Sequence, residues 1–236
     1  MELEYKEEYI DLLSKEAYSH AITTGIIVSI ILALASSIVL IVVFRILNLV
    51  HLLIYLVALV IVPINVLTYI VAHKIAHNVL NEAKIFVDVI SKVANTLNTT
   101  HVELLETPPP PYTSVLKTNK YYVVVSYYGY RGVHVTILDP VKIDKEEGYA
   151  AIYMKKSREL LATIKINNVD LRIYRLLAVL PEPVEDAIVE GSFYSYEFTI
   201  YKLDPDKLIS LIRKVFMEIK RMRQLYPREE EEKKEK

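Results

Sequence analysis

The sequence predicts an α+β protein: an N-terminal two-helix transmembrane hairpin, a helical stalk, and a small antiparallel β-sheet or partly open barrel closed by a C-terminal amphipathic helix. Three observations carry this expectation. Two uncharged runs, residues 21–44 and 52–72, are each long enough to cross a bilayer. Beyond about Tyr121 the apolar period changes from helical to two, and after Asp204 it becomes helical again behind a well-marked helix start.

The first run contains no charge from residue 21 to residue 44. As a helix rising about 1.5 Å per residue it extends about 36 Å, more than a hydrocarbon core of about 30 Å. The second run contains Pro63, which a membrane helix tolerates where neighbours re-satisfy the freed carbonyl. Arg45, Asn48 and His51 are the strongly polar residues between the runs, so a tight turn and an antiparallel hairpin are expected. Lys6, Lys15, Lys74 and Lys84 flank the terminal side against Arg45 in the turn, which places both termini in the cytoplasm and the chain in the cell membrane as a multi-pass protein. Ala33-Leu34-Ala35 resembles a signal-peptide cleavage site, but the preceding segment is acidic where a signal peptide is basic, and the apolar run continues past the supposed cut.

Residues 1–20, rich in Glu, read as a short cytoplasmic surface helix with Leu3, Ile10, Leu13 and Ala17 on one side. After the second span Ile75, Val79, Ala83, Phe86, Ile90 and Val93 keep a helical step, so a stalk helix to about Leu97 is expected within residues 73–106. The run Thr107-Pro108-Pro109-Pro110-Pro111-Tyr112 ends any helix, because successive prolines lack amide donors, and it reads as a semi-rigid linker before a cytoplasmic domain over 113–226. The same run matches a Pro-Pro-x-Tyr pattern of the kind some partner domains bind.

Within that domain Val133, Val135 and Ile137 alternate with His134 and Thr136. Leu160, Ala162, Ile164 and Ile166 alternate with Glu159, Thr163 and Lys165, and Tyr194, Tyr196, Phe198 and Ile200 with Ser195, Glu197 and Thr199. Half-buried strands are expected there, with turns at 128–132 and at Asn167-Asn168; the run 171–180 fits strand or helix, and its place after the Asn-Asn turn favours strand. Asp139, Asp144, Glu146 and Glu147 read as surface charge around a loop. The closing helix has Asp204 as N-cap and Pro205 at its first position. Its apolar arc is Leu208, Leu211, Ile212, Val215, Phe216, Ile219 and Met222, and residues 227–236 read as a solvated, disordered charged tail.

Composition narrows the function classes. A formal net charge of -1 argues against nucleic-acid binding. The absence of cysteine removes disulfides, thiolate nucleophiles and thiolate-held metal sites. Five glycines, at 25, 129, 132, 148 and 191, form neither a phosphate-cradling loop nor a nucleophile elbow, and no cofactor is expected. Gln224 is the only glutamine, a depletion of labile residues that fits a thermophile.

Three sets of candidate site residues remain. His73 and His77, four apart on the stalk, share a helix face as metal-binding pairs do, with His20 within reach; their alternative is the polar stripe they form with Asn81, Lys84 and Asp88. Lys207, Arg213, Lys214, Lys220 and Arg221 give the last helix a basic face suited to anionic headgroups or simply to solvent. Tyr127, Tyr128 and Tyr130, with Tyr121 and Tyr122, are dense enough for a partner-binding surface, although sheet packing also accounts for them.

The order of two-span hairpin, antiparallel sheet and amphipathic helix introduced by Asp204-Pro205-Asp206-Lys207-Leu208 resembles small membrane proteins carrying a bacterial-type pleckstrin-homology-like domain. The resemblance implies a partly open barrel closed by a C-terminal helix and a non-catalytic module. The stalk, the proline run and the segment 181–191 depart from it. The functional expectation is therefore a membrane-anchored non-enzymatic module binding a protein partner or lipid headgroups, as a subunit of a membrane complex or as a homo-oligomer. The alternative is a metal-dependent membrane enzyme or carrier using His73 and His77.

Overall fold

A computed structural model describes residues 6–46, 53–105, 111–147, 154–182 and 187–225. The turn expected over 47–52, most of the proline run and the disordered tail expected over 227–236 lie outside the described residues. The chain divides into two units, Glu7–Lys84 and Ile85–Lys236 with Met1–Lys6.

Helix α1 spans Lys6–Ile46, so the expected surface helix and first span are one continuous element. No proline interrupts the segment, and in its polar first part Lys15 pairs with Asp11 at 2.6 Å, one turn apart, which favours continuing the helix. Helix α2 spans Leu53–Leu97 with Pro63 inside it. It stops where expected: Asn98 takes a positive φ of 51°, and the amide of Thr99 donates to the Ala94 carbonyl at 3.1 Å. That left-handed residue and backward bond satisfy carbonyls the helix end would otherwise orphan.

In the first unit α1 and α2 run antiparallel, since Ser29 meets Asn65 while Tyr18 meets His73. Gly25 allows close approach: a Cβ there would stand 3.3 Å from the Ala72 Cβ and 3.4 Å from the Thr68 methyl. A polar contact crosses between the helices, the Ser29 hydroxyl donating to the side-chain carbonyl of Asn65 at 2.5 Å. Ser36, Ser37 and Thr68 instead donate to carbonyls one turn back in their own helices, so these hydroxyls need no water. Ile26, Ile30, Leu34 and Ile38 of α1 and Val66, Leu67 and Ile70 of α2 are exposed. The stretch Tyr9–Val39 is long and apolar enough to cross a membrane.

The second unit is built on a seven-stranded, wholly antiparallel sheet in the order β1-β2-β3-β4-β7-β6-β5. Its strands are β1 (His101–Leu105), β2 (Tyr112–Lys117), β3 (Tyr122–Tyr127), β4 (Val133–Glu147), β5 (Met154–Ile166), β6 (Val169–Glu182) and β7 (Ala187–Ile200). Strand β1 precedes the proline run in sequence and pairs with β2 after it, so the sheet begins before that run and not, as expected, after it. The segment expected as a loop around Asp139 and Asp144 is strand, with a bulge at Pro140/Lys142 that lets β4 and β7 stay paired along their length. The Asn167-Asn168 turn joins β5 to β6 with φ of 51° and 61°, the conformation a two-residue hairpin loop needs.

One face of the sheet receives the helices. Phe86 of α2 packs on Tyr112 and Tyr127, with ring centroids 5.9 Å and 6.2 Å away. Helix α3 (Pro205–Leu225) starts as expected, the Asp204 carboxylate accepting from the amides of Asp206 and Lys207 at 3.0 Å and 3.2 Å. It buries Leu208, Leu211, Ile212, Val215 and Ile219, each worth about 1.5–3 kcal/mol when fully removed from water. Phe216 stacks on Tyr121 at 4.8 Å. Asp139 is not surface charge: it is 1% exposed and forms an ion pair with Arg223 of α3.

The opposite face carries a second apolar cluster made wholly by strands: Leu105, Val115, Tyr122 and Val124 with Leu138, Leu176, Leu180, Val189 and Phe193. Strand β5 departs from simple alternation. Bulges after Lys155 and Leu160 shift its register, so Leu160 is exposed while Ala162, Ile164 and Ile166 are half-buried.

Candidate functional site

Glu197 lies on β7, on the face opposite the helices, and its side chain is only 2% exposed. A carboxylate so far from water is stable only if opposite charge and hydrogen bonds replace its hydration. Both are present. Lys155 Nζ stands 2.8 Å from Oε1 and Arg158 Nη2 2.7 Å from Oε2. The Ser195 hydroxyl donates to Oε1 at 3.2 Å, and His134 Nε2 lies 3.4 Å from Oε2. His134 is itself held between the hydroxyls of Thr199, at 3.2 Å, and Thr136, at 3.4 Å. The Arg158 guanidinium lies over the Tyr174 ring at 3.7 Å from its centre, a cation–π contact that fixes it beside the carboxylate. Next to this group Lys156 pairs with Glu190 at 2.6 Å.

Sheet register shows how distant residues meet here. Lys155 is level with Ala178 on β6 and thus with Gly191 on β7, six residues short of Glu197. Along a flat strand that offset is about 20 Å, beyond the reach of a lysine. The 2.8 Å contact therefore requires the sheet to coil, bringing the first part of β5 across the face that carries Glu197.

Burial alone would raise the Glu197 pKa. The hydrogen bonds from His134 and Lys155, with the charge of Lys155, outweigh it and hold the pKa down to about 2. At neutral pH the group is a saturated anion, ill-suited to act as a general acid or base. Its chemistry is to hold Lys155 and Arg158, each partly exposed, in fixed positions.

The residues singled out from sequence fall elsewhere. His73 packs between Tyr18 and Tyr69, at 5.7 Å and 6.3 Å, and His20 and His77 are exposed. Among the described residues no three His, Asp or Glu side chains are grouped to hold a metal ion. On α3, Lys207, Arg213, Lys220 and Arg221 are exposed and Lys214 is half-buried. Arg213 donates to the Thr96 carbonyl at 3.1 Å and Arg221 lies 3.6 Å from Glu218. Tyr127 is half-buried in the ring stack with Phe86 and Tyr112, whereas Tyr128 and Tyr130 face solvent.

The Glu197 cluster has no contiguous sequence signature. Its one local signal is a Glu between Tyr196 and Phe198, which alternation assigns to a solvated face. Against protein-family models, curated proteins and solved structures, nothing matches this chain.

Proposed function

We propose that this chain is a two-span membrane protein with both termini in the cytoplasm, presenting its β unit at the membrane surface as a non-catalytic binding module. The observation that carries the anchor is the outward face of the α1–α2 pair. Ile26, Ile30, Leu34 and Ile38 on one helix and Val66, Leu67 and Ile70 on the other point away from their shared contact. In water such a girdle would be a strong aggregation liability; in lipid it is the expected surface. The polar residues of this region support the same reading, since Ser29, Ser36, Ser37 and Thr68 all donate to oxygens within the helix pair.

Binding in place of catalysis is supported by the Glu197 cluster, where the buried carboxylate is locked as an anion while partly exposed cations remain. The test is alkaline extraction of membranes combined with tag accessibility. The protein is expected to remain with the lipid fraction, and N- and C-terminal tags are expected to be reached from the same, cytoplasmic side. Release by alkali, or tags on opposite sides, would overturn the two-span reading.

A further inference from the structure

One end of the sheet carries a pair of features that neither folding nor the Glu197 cluster uses. In the turn between β3 and β4, Tyr130 is 88% exposed; after the last residue of β7, Tyr201 is also 88% exposed. The two segments abut, because Val133 pairs with Ile200 and a Cβ on Gly132 would lie 3.1 Å from the Tyr201 Cα. Each tyrosine is followed by an exposed cation, Arg131 and Lys202. Arg131 lies against the Tyr130 ring at 5.6 Å from its centre and donates to its hydroxyl at 3.2 Å. Of the acids nearby, Asp204 is engaged in capping α3, and Asp170 follows the β5–β6 turn at the same end.

A single exposed aromatic needs no explanation; two at one end, each paired with a cation, present an apolar ring and a positive charge together. This combination suits the boundary of an anionic bilayer, where tyrosine rings sit at headgroup depth and Lys or Arg meets phosphate. Chain connection selects the same end. Phe86, at the start of this unit's share of α2, packs on Tyr127, the residue that ends β3 just before the turn, while Thr100, beyond the end of α2, bonds the carbonyl of Lys117 at the sheet's other end. Within this unit, the helical residues that follow Lys84 in sequence therefore lie at the tyrosine-bearing end of the sheet.

We propose that Tyr130–Arg131 and Tyr201–Lys202 form a membrane-surface contact, resting this end of the β unit on an anionic leaflet. The inference builds on the two-span reading above. The chain contains no tryptophan, so Tyr130→Trp, Tyr201→Trp, Lys120→Trp at the opposite end and Leu34→Trp in α1 each give a single tryptophan in the full-length protein, excited at the red edge where tyrosine does not absorb. Each variant would be reconstituted into vesicles of phosphatidylcholine and phosphatidylglycerol carrying bromine shallow or deep in the acyl chains. Trp at 130 and at 201 is expected to emit at shorter wavelength than Trp at 120 and to lose more intensity to shallow bromine. Adding Arg131→Glu and Lys202→Glu is expected to reverse both effects. Equal quenching at 120, 130 and 201 overturns the contact, as does quenching that survives the charge reversals and the omission of phosphatidylglycerol. Trp at 34 separates the two readings, since its failure to be quenched by deep bromine would refute the anchor itself.

Discussion

Replacing Glu197 by Gln tests whether the strand cluster is held by charge. The folded-state pKa is depressed from 4.5 to about 2, so the carboxylate's contribution is complete above 4.5 and is lost as pH falls through that interval. A shift of that size corresponds to about 3 kcal/mol. Glutamine still accepts one hydrogen bond but leaves Lys155 and Arg158 without their counter-charge, and removing one partner of a buried pair costs about 3–5 kcal/mol. Because both cations are partly exposed and can recover water, the expected loss at pH 7 is nearer about 2–3 kcal/mol. The assay is equilibrium denaturation of the full-length protein in detergent, following tyrosine near-ultraviolet dichroism of the β unit. Wild type is expected to lose stability between pH 4.5 and about 2 with a component that Glu197→Gln lacks. A variant within about 0.5 kcal/mol of wild type at pH 7, or one with the same acid slope, would refute the assignment.

Three further outcomes follow from named contacts. Asp139→Asn strips the counter-charge from Arg223 at a site where the carboxylate is 1% exposed; a loss of about 2–4 kcal/mol in the same denaturation assay is expected. Gly132→Ala forces a side chain onto a φ of 97° with its Cβ 2.3 Å from the Ile200 carbonyl oxygen, for an expected loss of about 1–3 kcal/mol, and unchanged stability would contradict the turn geometry. In the helix pair, Gly25→Leu pushes against Ala72 and Thr68, so oxidative crosslinking of a Ser29→Cys/Asn65→Cys protein is expected to drop when that change is added. The natural chain has no cysteine, which keeps that readout free of background.

How much could be read from the sequence depended on whether the controlling interactions were local. The end of α2 at Leu97 and the start of α3 at Pro205 were legible because capping residues act within a turn of themselves. The Asn167-Asn168 turn was legible because few other residues accept positive φ. Strand β1 was hidden: its partner lies across the proline run, and a five-residue strand between a helix and prolines has too little alternation to announce itself. The separate surface helix expected at the N-terminus is continuous with the apolar run that follows, because a change from charged to apolar side chains needs no backbone break.

The Glu197 cluster was illegible for a deeper reason. Alternation along β7 sorts Tyr194, Tyr196 and Phe198 from Ser195, Glu197 and Thr199, and for a flat sheet with helices on one side the polar set would face water. Coiling of the sheet breaks that equivalence between polar and solvated. The first part of β5 crosses the second face, so Glu197 is buried beneath Lys155 and Arg158 although the sequence around it alternates apolar and polar residues as a half-exposed strand does. The bulges after Lys155 and Leu160 accompany that coiling, since an extra residue on one strand increases local twist. Edge-strand lysines usually keep a sheet edge soluble. Here Lys155, with Arg158, also supplies the charge that allows a carboxylate to be buried inside the fold, which ties the edge of the sheet to its interior through two ion pairs.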